Sequence, residues 1–220
     1  MGEQTETMKN RRAIIVGAAP GELPLSRLDI VPEDILICAD GGRDKLEGQG
    51  LTPDWYVGDN DSGGSPEGLP SVLLPAEKDV SDLEMALDKA LELGCGRIVF
   101  IGCTGGRMDH ALANLSLLVA CAERGVEAAL IDMENEVRFL GPGSYRIANE
   151  PAYRYLGLIP LDWQVEGLTL TGVKYPLQNF NARCCSTRTI SNEILPGKQA
   201  EISFTAGRML LIRSLPIENS

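Results

Sequence analysis

The sequence predicts an α/β fold: an N-terminal mostly parallel sheet flanked by helices, followed by a C-terminal all-β sandwich domain. As far as Asp132, short apolar runs alternate with segments of helical periodicity. Beyond Asp132 the helical periodicity stops, and short apolar runs are separated by glycine, proline and asparagine. We therefore expect a flexible N-terminus (1–12), an α/β domain (13–132) and a β-sandwich domain (133–216).

The N-terminal part contains apolar runs that are typical of buried parallel strands. They lie at 13–17, 35–39, 54–57, 97–101 and 127–131. Apolar residues at helical spacing predict one helix from Ser81 to Leu93 and a second from Asp109 to Arg124. Ser81 and Glu84 are spaced as in a capping box, and a glycine follows each helix. The second helix is apolar over most of its surface, which predicts burial on more than one side.

The C-terminal part contains shorter runs that favour β-strands, with turns marked by glycine and proline. They lie at 137–140, 145–148, 155–160, 168–170, 187–190, 200–204 and 209–212. The absence of long helical patterns among them indicates a sandwich or partial barrel.

Composition and charge exclude several classes of function. The net charge of −11 argues against binding the backbone of DNA or RNA, although Mg²⁺ would let an acidic site accept a nucleotide. No apolar stretch approaches the roughly eighteen residues of a membrane span, and the N-terminus lacks the apolar core of a signal peptide. The cysteine spacings match neither a zinc site nor a disulfide framework. We expect a cytoplasmic protein with reduced thiols and with neither nucleic-acid nor membrane partners.

Acidic side chains gather where the predicted strands end. Asp40 follows the second strand, Asp59 and Asp61 follow the third, and Asp79 and Asp82 lie at the start of the first helix. The carboxyl ends of parallel strands share one sheet edge, so these carboxylates should lie close together and would suit Mg²⁺ held against phosphate. An Asx-turn explains the Asp59/Asp61 loop about as well when it is taken alone. Helix capping and the helix dipole likewise account for part of the last segment.

A glycine-rich segment, Gly102-Cys103-Thr104-Gly105-Gly106-Arg107, follows the fourth strand and opens the second helix. Its backbone N–H groups and the Arg107 guanidinium suit phosphate oxygens. It lacks the Gly-Lys-Ser/Thr ending of a Walker A loop. The alternative is a plain strand-to-helix turn capped by Asp109. His110, the only histidine, is treated as a residue that lines the site rather than as a catalytic base.

Taken together, these motifs resemble the thiamine pyrophosphokinase family. The resemblance rests on motifs that occur in the family's order: Asp40-Gly41-Gly42, Gly58-Asp59-Asn60-Asp61-Ser62, Asp79-Val80-Ser81-Asp82, and Gly105-Gly106-Arg107-Met108-Asp109-His110 continued by Asn114. The second domain adds Gly172-Val173-Lys174-Tyr175 and Ser191-Asn192. The resemblance spans nearly the whole chain.

The resemblance implies transfer of pyrophosphate from ATP to the hydroxyl of thiamine, giving thiamine diphosphate and AMP, by a homodimer with active sites at the subunit interface. Asp59 and Asp61 would hold Mg²⁺, and Asp79 and Asp82 would share catalysis with them. Tyr175, Ser191 and Asn192 would bind thiamine. The nucleotide would be held by Asp40, Gly41, Ser62, Thr104, Gly105, Gly106, Arg107, Asp109 and Asn114.

Two other hypotheses stay open at this level. One is a diphosphokinase on the same scaffold that acts on another alcohol, such as a hydroxymethyl pterin. The other is a sensor that binds the Mg²⁺–nucleotide complex without turnover. AMP release, measured with and without thiamine, separates the three.

Overall fold

The computed structural model describes residues 11–58, 68–73 and 79–216, which divide into two compact units between Met133 and Glu134. The elements of the first unit are β1 (Arg12–Val16), β2 (Ile35–Ala39), α1 (Gly42–Glu47), β3 (Trp55–Gly58), β4 (Ser71–Leu73), α2 (Asp82–Glu92), β5 (Arg97–Ile101), α3 (Met108–Glu123) and β6 (Glu127–Ile131). The second unit consists of β7 (Asn135–Leu140), β8 (Gly143–Ile147), β9 (Tyr155–Pro160), β10 (Gln164–Thr171), β11 (Leu177–Arg183), β12 (Ala200–Phe204) and β13 (Met209–Ser214). The predicted fold class, a parallel α/β sheet followed by an all-β part, is confirmed.

The strands of the first unit pair in parallel in the order β4-β3-β2-β1-β5-β6. β1 and β2 are buried along almost their whole length, as expected for strands with helices over both faces. The chain proceeds outward from β1 to β4 and then returns to add β5 on the other side of β1. The order in which strands are added therefore reverses between β1 and β5.

The helices begin and end close to where the sequence predicts. Ser81 caps α2 by accepting the Glu84 N–H on its hydroxyl at 3.2 Å, and Gly94 follows the helix with a φ of +77°. Helix α3 differs from its prediction, because it buries only one stripe, which includes Leu117 and Leu118. Met108 is 71% exposed and Leu112 60% exposed, so the expectation of burial on more than one side is wrong for the single chain. Among the helices that the structure describes, none is long and apolar enough to span a bilayer.

The second unit is a β-sandwich. β13 lies between β7 and β9 and is antiparallel to both, while β11-β10-β12-β8 form a separate antiparallel sheet. Side chains from both sets of strands, such as Leu158 and Leu211 from the first and Leu168 and Ile202 from the second, pack into one core.

Four elements were not predicted from the sequence, and one predicted strand is wrong. The unpredicted elements are a 3-10 helix (Leu25–Arg27), α1, β4 and β11. The 3-10 helix and β4 have three residues each, α1 has six, and β11 is rich in asparagine and glutamine. Residues 187–190, predicted as a strand, form a turn. Thr189 attaches that turn to β9. Its hydroxyl donates to the Leu158 carbonyl at 2.6 Å, and its own carbonyl accepts the Leu158 N–H at 2.8 Å.

All six cysteines lie in the described part of the chain, and none forms a disulfide there. Cys38, Cys95, Cys103 and Cys121 are buried, whereas the adjacent pair Cys184 and Cys185 is exposed. Burial raises the pKa of the thiols of Cys38, Cys103 and Cys121 to about 12. These three behave as small core hydrophobes.

A buried charge network centres on Glu136 in β7. Its carboxylate accepts hydrogen bonds from Arg213 (2.7 Å), the Tyr153 hydroxyl (2.7 Å) and Arg138 (2.5 Å). Burial alone would raise the pKa of this carboxyl, but the Tyr153 hydrogen bond and the two arginine charges outweigh it and hold the pKa below its usual 4.5. A depressed pKa contributes stability above the unfolded value and loses it as the pH falls.

We therefore expect the free energy of unfolding to fall when the pH is lowered from 7 to about 3, with most of the loss below about pH 5, and to fall less in a Glu136→Gln variant. That variant should start roughly 1–3 kcal/mol less stable at pH 7, because it weakens charge-assisted hydrogen bonds. Urea unfolding at the two pH values measures both effects. Glu201→Gln is the matched control, because it alters an exposed ion pair between Glu201 on β12 and Arg146 on β8, and it should keep the wild-type pH dependence. Equal pH dependence in wild type and Glu136→Gln would contradict the prediction.

Candidate active site

A cleft of about 450 Å³ opens at the carboxyl ends of β1 and β5, where the strand order reverses. Crevices at such a reversal are where open α/β sheets bind ligands. Four segments line it: the turn after β1 (17–20), the end of β2 (39–40), the start of α2 (81–83), and parts of the glycine loop after β5, which we define as Gly102–Arg107. His110 and Asn114 of α3 complete the wall.

Glycine lets the two sides of the cleft approach each other closely. The Ala19 N–H donates to the Gly102 carbonyl at 2.9 Å, and Gly102 adopts a φ of +62°. A Cβ on Gly17 would lie 2.7 Å from the Gly102 carbonyl oxygen, and one on Gly102 would lie 2.6 Å from that of Gly17. Larger residues at either position would force apart the two backbones that form the cleft floor.

The glycine loop is held by side chains that the sequence analysis assigned to the nucleotide. The Asn114 amide donates to the Cys103 carbonyl at 2.8 Å, and the Thr104 hydroxyl donates to the Asp132 carboxylate at 3.0 Å. Both contacts tie the loop to neighbouring segments of the same unit. Asn114 also lines the cleft, whereas Thr104 does not appear in its wall.

The turn after β1 is a part of the site that the sequence analysis missed. Residues 17–20 contribute four lining positions, and the Lys45 ammonium of α1 donates to the Gly21 carbonyl at 2.8 Å and to that of Ala19. The signal for the turn was its position after a buried strand that ends in glycine. Nothing in the sequence indicated Lys45, because its partners are backbone atoms more than twenty residues away.

Two of the predicted carboxylates line the cleft. Asp40 directly follows β2 and has a φ of +49°, an unusual conformation that Asp tolerates better than most residues. Its N–H donates to the Val57 carbonyl at 2.9 Å. Asp82 is the first residue of α2. Asp79 is exposed and lies outside the wall of the cleft. Gly41, which precedes α1, is also outside that wall.

The predicted metal ligands Asp59 and Asp61, together with Ser62, lie outside the described residues. Among the residues that are described, no group of three or more His, Cys, Asp or Glu is arranged to hold a metal ion. The carboxylates of Asp40 and Asp82 are hard oxygen donors of the kind that Mg²⁺ takes, usually in small numbers supplemented by water and phosphate. The donor chemistry therefore fits Mg²⁺.

Arg107 adds a positive charge to the lining of the cleft. Its guanidinium binds the Asp109 carboxylate in a forked pair, with Nε 3.1 Å from one oxygen and a terminal nitrogen 2.5 Å from the other. The hydrogen bond from Arg107 holds the pKa of Asp109 below its usual range. Asp109 thus orients Arg107. The other guanidinium N–H groups make no hydrogen bond to any residue that the structure describes, so they suit an anion in the cleft.

The predicted thiamine-binding residues lie together in the second unit. Tyr175 is 58% exposed, while Asn192 is only 5% exposed and its side chain is hydrogen-bonded to the Tyr175 backbone. Ser191 adopts a φ of +57° and lines a separate cavity of about 540 Å³ beside β9 and β13. The structure brings these three residues together, although they come from segments 16 or more positions apart.

Fold and site define a class: an α/β protein with a ligand cleft at the switch point of a parallel sheet, joined to a β-sandwich. Comparison with known proteins is more specific. Residues 30–130 match the family model for the thiamin pyrophosphokinase catalytic domain, and residues 144–209 match that for the thiamin pyrophosphokinase vitamin B1 binding domain. The chain belongs to the thiamine pyrophosphokinase family.

Individual relatives agree. The chain is 42% identical over 139 residues to a thiamine pyrophosphokinase of Bacillus subtilis (63% of this chain, 64% of the relative). It is 24% identical over 151 residues to thiamin pyrophosphokinase 1 of Caenorhabditis elegans (65% and 60%). These alignments thus span less than two thirds of either curated relative.

Solved structures extend the likeness over nearly the whole chain. A crystal structure of thiamine pyrophosphokinase from Bacillus subtilis superposes with a TM-score of 0.82 at 32% identity, covering 94% of this chain and 100% of that one. One from Geobacillus thermodenitrificans gives a TM-score of 0.82 at 34% identity, covering 93% and 98%.

Proposed function

We propose that the protein transfers the pyrophosphoryl group of ATP to the hydroxyl of thiamine, giving thiamine diphosphate and AMP. In this proposal residues 13–132 form the catalytic domain and residues 133–216 the thiamine-binding domain. The family to which the chain belongs supports the reaction. The observation that carries it is the cleft at the ends of β1 and β5, which Asp40 and Asp82 line together with Arg107 and most of the glycine loop.

This combination of charges suits a polyphosphate. Arg107 can fork onto phosphate oxygens, and the glycine loop presents backbone N–H groups to the same ligand. Carboxylates beside a phosphate would repel it unless a cation lies between them, which supports Mg²⁺ as the metal. Asp59 and Asp61 would hold it, and Gly58 supports their placement, because a Cβ there would lie 3.4 Å from the Asp40 Cα. When bound, Mg²⁺ would neutralise charge on the ATP phosphates.

The chain's own residues would then perform positioning and proton transfer. Arg107, oriented by Asp109, would hold the phosphates, while Asn114 and Thr104 would keep the glycine loop in place around them. Asp82 is our candidate to orient the thiamine hydroxyl and accept its proton, since it lines the cleft and Asp79 does not. The hydroxyl oxygen bonds to the β-phosphorus of ATP as the bond from that phosphorus to the AMP oxygen breaks. Catalysis of this kind is mostly alignment and charge neutralisation.

Thiamine is a cation, so it would be drawn to an acidic protein and to an accessible aromatic ring. Tyr175 offers such a ring, and Ser191 and Asn192 would belong to the same thiamine-binding region, Asn192 through its hydrogen bonds to the Tyr175 backbone. The Lys174 ammonium lies 5.6 Å from the Tyr175 ring centroid and is held by Glu193 at 2.9 Å. One face of the ring is therefore already near a protein cation, which leaves the other for the substrate.

We further propose a cytoplasmic homodimer with active sites at the subunit interface. The exposed Met108 and Leu112 on α3, next to the cleft residues His110 and Asn114, support an association surface there. Unpaired thiols support a reducing compartment. We propose no nucleic-acid or membrane partner.

The test is AMP release from ATP and Mg²⁺ with thiamine, with a hydroxymethyl pterin, and with neither. Thiamine-dependent AMP supports the proposed reaction. AMP that depends on the pterin instead identifies a diphosphokinase for another alcohol. ATP binding without AMP under any of the three conditions identifies a non-catalytic sensor.

A further inference from the structure

The side-chain amide of Asn192 uses most of its hydrogen-bonding groups on contacts within the protein. Its Oδ1 accepts the N–H groups of Tyr175 and Glu193, both at 3.0 Å, and its Nδ2 donates to the Tyr175 carbonyl at 2.8 Å. The amide therefore clamps both polar groups of the Tyr175 backbone. An Asn side chain has two acceptor positions and two donors, so a single N–H is left over, and the residue is 5% exposed. Such a group has little capacity to recognise a ligand directly.

Asn192 is itself anchored to the core. It forms an antiparallel bridge with Leu156 of β9, whose N–H donates to the Asn192 carbonyl at 2.8 Å and whose carbonyl accepts the Asn192 N–H at 2.9 Å. Leu156 is 1% exposed and belongs to the sandwich core. The residue that holds Tyr175 is therefore itself hydrogen-bonded to a strand of the sandwich core.

Tyr175, by contrast, has weak support of its own. β10 ends at Thr171, and the ring is more than half exposed, so packing does little to fix it. Val173 forms a bridge with Ile194, and the Lys174 N–H donates to the Glu193 carbonyl at 2.9 Å. Pro176 follows, which favours an extended backbone at Tyr175 and offers no N–H of its own. The Asn192 clamp binds both polar groups of the Tyr175 backbone itself, the point from which the ring projects.

We propose that Asn192 is a positioning residue, which acts on thiamine only through Tyr175 and does not bind the substrate itself. This rests on the proposed function, in which the Tyr175 ring stacks on thiamine. The clamp presents the ring in one orientation before the substrate arrives, so that binding does not have to order it.

The experiment is a double-variant cycle on the full-length protein, with KM for thiamine and KM for ATP measured separately. Tyr175→Ala and Asn192→Ala should each raise KM for thiamine about three- to thirtyfold, the range of a stacked cation–aromatic contact, with KM for ATP changed less than about twofold. The double variant should match Tyr175→Ala alone, because the clamp has nothing to position once the ring is gone. Asn149→Ala is the control: it removes a single side-chain bond to the Leu195 carbonyl (3.2 Å) in the same unit and should leave both KM values unchanged.

Additive effects in the double variant would mean that Asn192 contacts the substrate, and would overturn the proposal. So would an Asn192→Ala variant that retains wild-type KM for thiamine while Tyr175→Ala does not. If Asn192→Ala does not fold, Asn192→Asp replaces it in the cycle, since it keeps the acceptor and loses the donor.

Hydrogen exchange separates failure of this proposal from failure of the proposed function. If wild type releases no thiamine-dependent AMP, exchange at the Tyr175 amide still tests the clamp. Asn192→Ala should speed exchange at that amide at least about tenfold relative to wild type, and Asn149→Ala should not. An unchanged rate would overturn the clamp irrespective of the reaction.

Discussion

Asp61→Asn is expected to reduce thiamine-dependent AMP release by at least about a hundredfold while leaving the protein folded. Loss of one group that stabilises transition-state charge costs this much in other enzymes. An amide cannot supply the negative oxygen that a hard cation requires, and the described carboxylates Asp40 and Asp82 do not by themselves form a metal-binding group. Initial rates at saturating ATP, thiamine and Mg²⁺ measure the effect.

Asp88→Asn is the control for that experiment. Asp88 is a half-exposed carboxylate on α2, 3.7 Å from Arg124, and is not part of the cleft wall. The same change of charge at this position should alter the rate less than about twofold, because exposed ion pairs contribute little. If Asp61→Asn keeps activity within a few-fold of Asp88→Asn, Asp61 is not a metal ligand, and the Asx-turn explanation of its loop becomes the better one.

Gly42→Ala is expected to destabilise the protein by roughly 3 kcal/mol or more, a large fraction of the about 5–15 kcal/mol by which a typical domain is stable. Gly42 is the first residue of α1, and a Cβ there would lie 2.9 Å from the Val16 carbonyl carbon and closer still to its oxygen. Both are backbone atoms at the end of the central strand β1. Relief would require α1 to move away from the sheet.

The neighbouring glycine provides the control. A Cβ on Gly41 would meet only the Ala18 side chain, at 3.4 Å, so Gly41→Ala should stay within about 1 kcal/mol of wild type. Urea or thermal unfolding compares the two variants directly. Equal stability of Gly41→Ala and Gly42→Ala would show that α1 is not held against β1 as described. The expected difference makes the second glycine of the Asp40-Gly41-Gly42 motif a packing residue rather than a ligand.

Buried elements were predictable from sequence because burial imposes a pattern. β2 and β5 were predicted to the residue, since parallel strands covered on both faces form apolar runs; β2 is apolar throughout, and β5 is apolar after the exposed Arg97. β11 was missed because it carries asparagine and glutamine and is irregular: its pairing with β10 shifts register, and Asn179 adopts a φ of +45°. Its position depends on neighbouring strands rather than on its own composition.

The site likewise contains features that were predictable from the sequence and features that were not. Asp40 and the glycine loop were predicted to line one cleft because both follow predicted strands, and apolar runs in the sequence reveal where those strands end. That Asn114 holds Cys103 and Asn192 holds Tyr175 did not follow, because each pairs a side chain with a backbone group 11 or 17 residues away. Only the fold brings such partners together. A sequence motif therefore indicated where polar residues gather, but not whether each one faces a ligand or the protein.

Four of the six thiols are buried and two are exposed, so thiol labelling can report whether this protein is folded. A thiol-specific reagent at neutral pH should modify Cys184 and Cys185 promptly and should spare the buried four as long as the chain stays native. The number of modified cysteines per molecule would then rise from two to six on unfolding, and mass spectrometry reads it directly. Cys38, Cys103 and Cys121 all belong to the first unit and carry thiols with a pKa of about 12. Their labelling would report opening of that unit specifically, without any introduced probe.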